Sequence, residues 1–429
     1  MTYENALEKI HSLLTFGSRP GLDRILKLLK IMGNPQDNLK FIHIAGTNGK
    51  GSVCKLLSAV LTAQGYKTGL FISPYITDFR ERIQINDEMI SKEALTQAVE
   101  ETYPLVEKLR ENDCIITEFE YVMALEFYIH NKENCDVVVL ETGMGGLYDC
   151  TNVIKPPLCS IITTIGLDHT AILGDTIEEV AMQKCGIIKE NSFAVTSKQE
   201  DSVIKVMEAV TKDKNIPLYK SDDLEIQVIS TDINKTVLSY KGLNLDLNLA
   251  GLHQIENAKT ALTAIENIRK NNLLNISDQS IITGFKNAVN PARLETICEN
   301  PLVIIDGAHN PNGINALKNS IDLYLKNQKI ICIMGMLSDK DSISSIKMLE
   351  GVFEEVVCVP INNPRTLTEI ELSEKCKDHF NTVTAEKDIF KAFDYAYNKA
   401  KENNYALLIC GSLYLAGDIR PYAIKTSNS

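Results

Sequence analysis

The run Ala45-Gly46-Thr47-Asn48-Gly49-Lys50-Gly51-Ser52 has the residue types needed to hold a polyphosphate. Its three glycines let the backbone fold around an anion, and the helix expected to open at Lys50 adds N–H donors and a positive dipole end. Lys50 has the reach for distal phosphates, and Ser52 offers a hydroxyl to Mg2+. Gly51 separates the two, an imperfect match to the usual phosphate-loop pattern, and a ligand-free Gly-rich turn is the bland alternative. Glu141 closes a second apolar run and leads into Thr142-Gly143-Met144-Gly145-Gly146; a carboxylate there suits Mg2+ or, equally, a helix cap. Asp168-His169-Thr170 follows a third run, on the same expected edge as Ser52 and Glu141. Lys184, on an expected helix, reads from physics alone as a solvated cation. Asp306-Gly307-Ala308-His309-Asn310-Pro311 is a polar string after a later apolar run, and a capped Asn-Pro turn accounts for it as well as a site does.

These residues need strands that end together. Short apolar runs at 40–44, 67–72, 136–140 and 158–164 alternate with helical patterns at 50–64 and 118–130. Runs apolar on both faces and separated by helices predict a parallel sheet covered on both sides. Alternation at 224–249 predicts a small antiparallel patch, and a helix is expected over 254–269. The pattern then restarts, with strands at 302–306, 330–335, 356–359 and 406–410 and helices at 312–326 and 341–349. The expected architecture is α/β: an N-terminal phosphate-loop-type, mostly parallel sheet domain over 1–289, then a smaller Rossmann-like α/β domain over 290–429, linked near Asn287-Ala288-Val289-Asn290-Pro291.

Composition agrees with a globular protein of two or three domains: 429 residues, 44% hydrophobic and 23% charged. A net charge of −12 argues against general nucleic-acid or anionic-membrane binding. The eleven cysteines are scattered without a C-x-x-C pair, as expected of reduced buried thiols rather than disulfides or zinc. No signal peptide or membrane span is read, so a soluble, cytoplasmic protein is expected.

The ordered motifs resemble the folylpolyglutamate synthase/dihydrofolate synthase family of the ATP-dependent Mur ligase superfamily. They are the runs at 46–52, 73–75 with 79–82, 117–120, 141–152, 167–170, 184–187, 251–254 with Asn257-Ala258, 293–295 and 306–311, nearly the whole chain. The resemblance implies that Asn48, Gly49, Lys50, Gly51 and Ser52 hold ATP phosphates, with Asn257, Arg293 and Asp306 completing the nucleotide site. It implies Mg2+ on Ser52, Ser73, Glu141 and His169, a carbamylated Lys184, and catalytic roles for Lys50, His169 and Lys184. Gly21-Leu22-Asp23-Arg24 and Thr117-Glu118-Phe119-Glu120 match segments that hold the pterin substrate, and His309 would lie near the incoming glutamate. The implied enzyme is a monomeric amide ligase that phosphorylates the carboxylate of a folate or dihydropteroate and passes it to L-glutamate, with domain closure excluding water. Leu147 stands where the family usually has Arg, and Ala292 where it usually has Gly. The rival readings are another Mur-type ligase, against which stand the roughly 40 residues before the first run, too few for an extra domain, and a nucleotide-binding protein without ligation.

Overall fold

The computed structural model describes residues 1–16, 21–338 and 341–427. They form two compact units: Met1–Ile226 with Tyr240–Leu245 and Glu256–Ala288, and Gln227–Ser239 with Asp246–Ile255 and Val289–Ser429.

The first unit is built on an eight-stranded sheet. Its strands are β1 (Phe41–Ala45), β2 (Thr68–Phe71), β3 (Ile83–Ile85), β4 (Glu88–Met89), β5 (Val137–Glu141), β6 (Cys159–Ile162), β7 (Ala194–Thr196) and β8 (Leu218–Lys220), in the order β4-β3-β2-β5-β1-β6-β7-β8. β2, β5, β1, β6, β7 and β8 pair in parallel, while β3 and β4 add an antiparallel edge. Every residue of β1, β5 and β6 is buried, which is why these runs are apolar without alternation. Register sets Ile44 opposite Glu141 and Ala45 opposite Ile162, so the loops after β1, β5 and β6 leave the sheet side by side. The chain runs from β1 to β2 on one side and places β6 on the other; this change of direction is where parallel sheets bind ligands.

The Lys50–Gln64 helix starts at Gly49 (φ 88°) and stops at Gly65 (φ 98°), whose N–H caps Leu61 and Thr62 carbonyls. It is apolar nearly all round because the sheet takes one face and the Asp278–Asn287 helix another; a Cβ on Gly284 would stand 2.5 Å from the Val60 backbone. The Glu118–Lys132 helix opens with a capping box between Thr117 and Glu120.

Strands β9 (Gln227–Thr231), β10 (Thr236–Tyr240) and β11 (Leu243–Leu247) make a three-stranded sheet, with β9 and β10 antiparallel. The second unit carries β12 (Glu295–Glu299), β13 (Leu302–Ile305), β14 (Ile330–Met334), β15 (Glu355–Cys358), β16 (Val383–Ala385) and β17 (Ala406–Cys410), in the order β12-β13-β17-β14-β15-β16. All neighbours are parallel except β12 against β13. Among the described residues no helix is long and apolar enough to cross a membrane.

One polar pair is sealed in the first core. His130 and Glu126 are both 0% exposed, with Nδ1 2.9 Å from Glu126 Oε1 and Nε2 3.0 Å from the Gln84 carbonyl. A carbonyl only accepts, so Nε2 carries a hydrogen and Nδ1 shares a proton with Glu126, whose pKa burial raises. Glu126→Ala should therefore cost about 3 kcal/mol by stranding the imidazole. Glu126→Gln, which can still donate to Nδ1, should cost under about 1.5 kcal/mol. Calorimetric unfolding of the two variants checks this; equal losses would mean the pair is ordinary packing.

Candidate active site

The turn after β1 is held against the segment that follows β6. Thr47 and Asn48 N–H groups donate to the Thr164 carbonyl at 2.9 and 3.2 Å, and Thr47 Oγ1 donates to the Gly166 carbonyl at 2.9 Å. Two glycines are required here. A Cβ on Gly46 would stand 1.8 Å from Thr163 Oγ1, and one on Gly49 would stand 2.3 Å from Asn257 Oδ1. The second distance also means that Asn257, some 200 residues away in sequence, packs directly on the phosphate-type loop.

Two ammonium groups converge on this turn. Lys50 Nζ donates to the Gly46 and Thr47 carbonyls at 3.1 and 3.3 Å, and Lys184 Nζ donates to the same Gly46 carbonyl at 2.8 Å. Lys184 is 4% exposed, so it is not the solvated cation that helix physics suggested. Burial, then the charge of Lys50, pushes its pKa down to about 7. Glu141, also 4% exposed, stands at the end of β5 with Oε1 3.9 Å from Lys50 Nζ, and its Oε2 accepts from the Ser73 N–H at 3.1 Å. Arg82 Nη1 donates to Ser73 Oγ at 2.8 Å. The structure thus brings Lys50, Glu141, Ser73 and Lys184 to one edge of the sheet, with buried Ser52 in the first turn of the helix.

A carboxylate and serine oxygens at a phosphate-type loop are the hard donors that Mg2+ takes. The remaining expected ligand, His169, sits after β6 at φ 53°, its N–H on Asp168 Oδ1 at 2.9 Å and Nε2 3.9 Å from Asp168 Oδ2. Among the described residues no three His, Cys, Asp or Glu side chains gather into a metal cluster, and the expected set holds only two residues of those types.

The two segments expected to hold the pterin meet. Arg24 Nε is 2.9 Å from Glu120 Oε1, Glu120 being 1% exposed, while Glu120 Oε2 accepts from Thr117 N–H and Oγ1 at 2.8 and 2.9 Å. Gly21 and Leu22 lead into the Asp23–Ile31 helix that carries Asp23 and Arg24, and Glu118 Oε1 pairs with His11 Nδ1 at 2.8 Å. Phe119 packs on Gly143, where a Cβ would stand 2.4 Å from its ring. This ties the segment to the loop that carries Leu147.

That loop is ordered by Asp149, which sequence reading passed over. Its buried carboxylate accepts from Met144 N–H at 2.8 Å, Thr151 N–H at 3.0 Å and Thr151 Oγ1 at 2.6 Å; burial raises its pKa against those donors. The loop docks on the helix of Lys184 through Leu147 N–H to the Gln183 carbonyl at 2.8 Å and Asn152 Nδ2 to the Gly186 carbonyl at 3.1 Å. An acid in a Gly-rich loop is the only sequence signal for Asp149; its burial is what distinguishes it.

In the second unit, Asp306 accepts from Leu294 and Ala308 N–H groups, each at 2.8 Å. Burial raises its pKa, and Arg293 lowers it. Ala292 and Leu294 flank Arg293 at φ 55° and 48°, which explains why a glycine suits position 292: a Cβ in that region costs about 1 kcal/mol. Glu295 supports the bend, accepting from Ala292 N–H at 2.8 Å and bidentately from Arg420. His309 Nδ1 is 2.8 Å from the Gly307 carbonyl and so carries a hydrogen. His253, given no role from sequence, is half-buried, and desolvation followed by Arg293 lowers its pKa to about 4.

Known proteins resemble this chain over nearly its whole length. Residues 44–265 match the Mur ligase middle domain, and residues 292–413 match the Mur ligase glutamate ligase domain. A dihydrofolate synthase/folylpolyglutamate synthase of Bacillus subtilis is 34% identical over 97% of this chain and 98% of its own length. Folylpolyglutamate synthase of Thermotoga maritima superposes with a TM-score of 0.87 at 35% identity, over 100% of this chain and 98% of that one. The Mycobacterium tuberculosis enzyme, solved with ADP and AMPPCP, gives 0.90 at 30% identity over 98% and 99%. The chain therefore belongs to the Mur ligase superfamily and, within it, to the folylpolyglutamate synthase/dihydrofolate synthase family.

Proposed function

We propose that this chain is an ATP-dependent acid–amino-acid ligase that joins L-glutamate to a folate through an acyl phosphate. The observation that carries the reading is the convergence of Lys50 and Lys184 on the Gly46 carbonyl beside Glu141, in a chain similar over its full length to folate ligases. A carboxylate is a poor electrophile; phosphorylation by ATP supplies a leaving group, and the amine of glutamate then displaces phosphate. Asn48, Gly49, Lys50, Gly51 and Ser52 are assigned to the phosphates, Lys50 neutralising charge on the transferring group. Asn257, Arg293 and Asp306 are assigned to the nucleotide and His309 to the incoming glutamate. Bound Mg2+, with Ser52, Ser73, Glu141 and His169 as its assigned ligands, would supply further neutralisation of phosphate charge. The segments 21–24 and 117–120 are assigned to the pterin.

A carbamate on Lys184 fits its surroundings. CO2 adds to a neutral amine, giving R–NH–COO− and a proton, and a pKa of about 7 leaves much of this amine neutral near pH 7. The product would replace one of two crowded cations with an anion.

Lys50→Ala should lower turnover by on the order of 10²–10³-fold while the protein unfolds at the wild-type temperature. ATP hydrolysis coupled to folate and glutamate measures it, and near-normal turnover would remove the phosphate-loop assignment. For Lys184, capture should rise with pH through about 7, because only the deprotonated amine reacts. Wild type in CO2-stripped buffer at pH 6.5 should lose turnover and regain it with bicarbonate, and Lys184→Ala should be partly rescued by acetate. No 13C carbamate signal from 13CO2-treated protein at pH 8, with an unchanged rate in stripped buffer, would exclude the modification.

Leu147 is proposed to favour glutamylated folates over dihydropteroate. An Arg there could bind the single benzoate carboxylate of dihydropteroate through charge-assisted bonds worth about 1.5–3 kcal/mol, which converts to roughly tenfold to a hundredfold in kcat/KM. Arg24 is a poor substitute because Glu120 takes it at 2.9 Å, and Arg82 already serves Ser73. The kcat/KM ratio for dihydropteroate and a reduced monoglutamyl folate, in wild type and Leu147→Arg, measures the effect. An unchanged ratio would clear Leu147 of the role.

A further inference from the structure

The helix that begins at the phosphate-type loop carries a second buried lysine which the mechanism does not use. Lys55 is 8% exposed, and burial lowers its pKa. Its Nζ donates to Gln84 Oε1 at 2.6 Å. Gln84, 4% exposed on β3, turns its Nε2 to the Glu81 main-chain carbonyl, also at 2.6 Å. The Glu81 carboxylate in turn accepts from three successive backbone N–H groups, Ile76 at 2.7 Å and Thr77 and Asp78 at 3.0 Å each. One turn further along the helix, Ser58 Oγ donates to Asp87 Oδ1 at 2.7 Å, fixing the hairpin that follows Gln84.

These bonds form one line from the phosphate-loop helix to the loop 73–82. The neck of that loop is closed by Ile72 N–H to the Arg82 carbonyl at 3.1 Å, and its inner side carries Ser73, on Glu141, and Arg82, on Ser73. An ammonium at position 55 is costly where Met or Leu would fill the same space. Its hydrogen bond to Oε1 fixes which way the Gln84 amide faces, and that orientation delivers Nε2 to Glu81. Lys55 and Gln84 are buried and Glu81 is half-buried, so the line is stiffest where it leaves the helix.

We propose that Lys55 is a positioning residue: acting through Gln84 and Glu81, it registers the loop 73–82 against the helix that holds the nucleotide phosphates, so that Ser73 and Arg82 are presented at Glu141. The kinetic part of the test rests on the folate-ligase reading; the exchange part does not.

The variants are Lys55→Met, Lys55→Arg and Gln84→Leu in the full chain. Hydrogen–deuterium exchange of the peptide spanning 73–82 should quicken about tenfold at 76–78 in Lys55→Met and Gln84→Leu, the fold-change expected for losing one buried charge-assisted bond. In the same variants KM for Mg-ATP should rise about tenfold while KM for the folate stays within about twofold. Lys55→Arg, which keeps a donor, should recover most of both effects. Wild-type exchange at 76–78 in a folded Lys55→Met protein would overturn the proposal, as would ATP and folate KM rising together, the mark of a protein loosened as a whole. If Lys55→Met does not fold, Gln84→Leu decides alone: wild-type exchange there overturns the proposal and faster exchange supports it. A wild-type protein without ligase activity would remove the functional reading but leave the exchange result to judge Lys55.

Discussion

One main-chain oxygen, that of Gly46, accepts from two ammonium groups, and the site is organised around it. Two like charges in a region nearly closed to water are tolerable only when negative charge is close and the amines give up part of their basicity. Glu141 supplies the first, and Lys184 the second. The carbonyl can occupy that point only because residue 46 has no side chain: Thr163 fills the space where a Cβ would stand. Thr163, just after β6, thus specifies the glycine, and the glycine specifies where the two amines meet. Lys184 arrives from a helix after β6, and Glu141 from the end of β5, so the register of three adjacent strands fixes the charge pattern.

The buried parallel strands were legible because burial on both faces leaves an uninterrupted apolar run. β1, β5, β6, β14, β15 and β17 lie within a residue or two of the apolar runs read from sequence, and the Lys50–Gln64 helix matches its expected bounds. The antiparallel patch at 227–247 showed through its alternation. Edge elements did not show. β4 is two exposed residues, and β8 is half-buried throughout, so neither has a pattern to read. The amphipathic helices Lys92–Arg110 and Asp201–Asp213 went unassigned because neither carries a chemical motif that drew the reading to it. The segments Gln227–Ser239 and Asp246–Ile255 group with the C-terminal unit, which no local pattern could reveal.

The site was legible where chemistry leaves its mark on residue type. Glycine, lysine, serine and carboxylate at strand ends pointed to phosphate and metal without any partner being known. Lys184 was not legible in that way: on its helix it reads as solvent-facing, and only the family resemblance marked it, whereas the structure supplies the physical reason in a buried amine aimed at Gly46. Asp149, Gln84 and Lys55 escaped notice for the converse reason. They are polar residues whose work is to hold other segments, and what identifies them is a set of partners far away in sequence.

The packing of Gly284 against Val60 bears on the order in which this chain can fold. During synthesis an N-terminal domain ordinarily completes itself while the rest is still being made. Here the helix that carries the phosphate loop keeps an apolar face uncovered until Asp278–Asn287 has emerged. Before that moment the ribosome has already released Gln227–Ser239 and Asp246–Ile255, which belong to the other unit. The nascent chain must therefore hold open an incomplete first unit and carry two unsatisfied pieces of the second. The interval between residues 226 and 288 is the stretch of translation in which the growing chain exposes most apolar surface that its own later residues will cover.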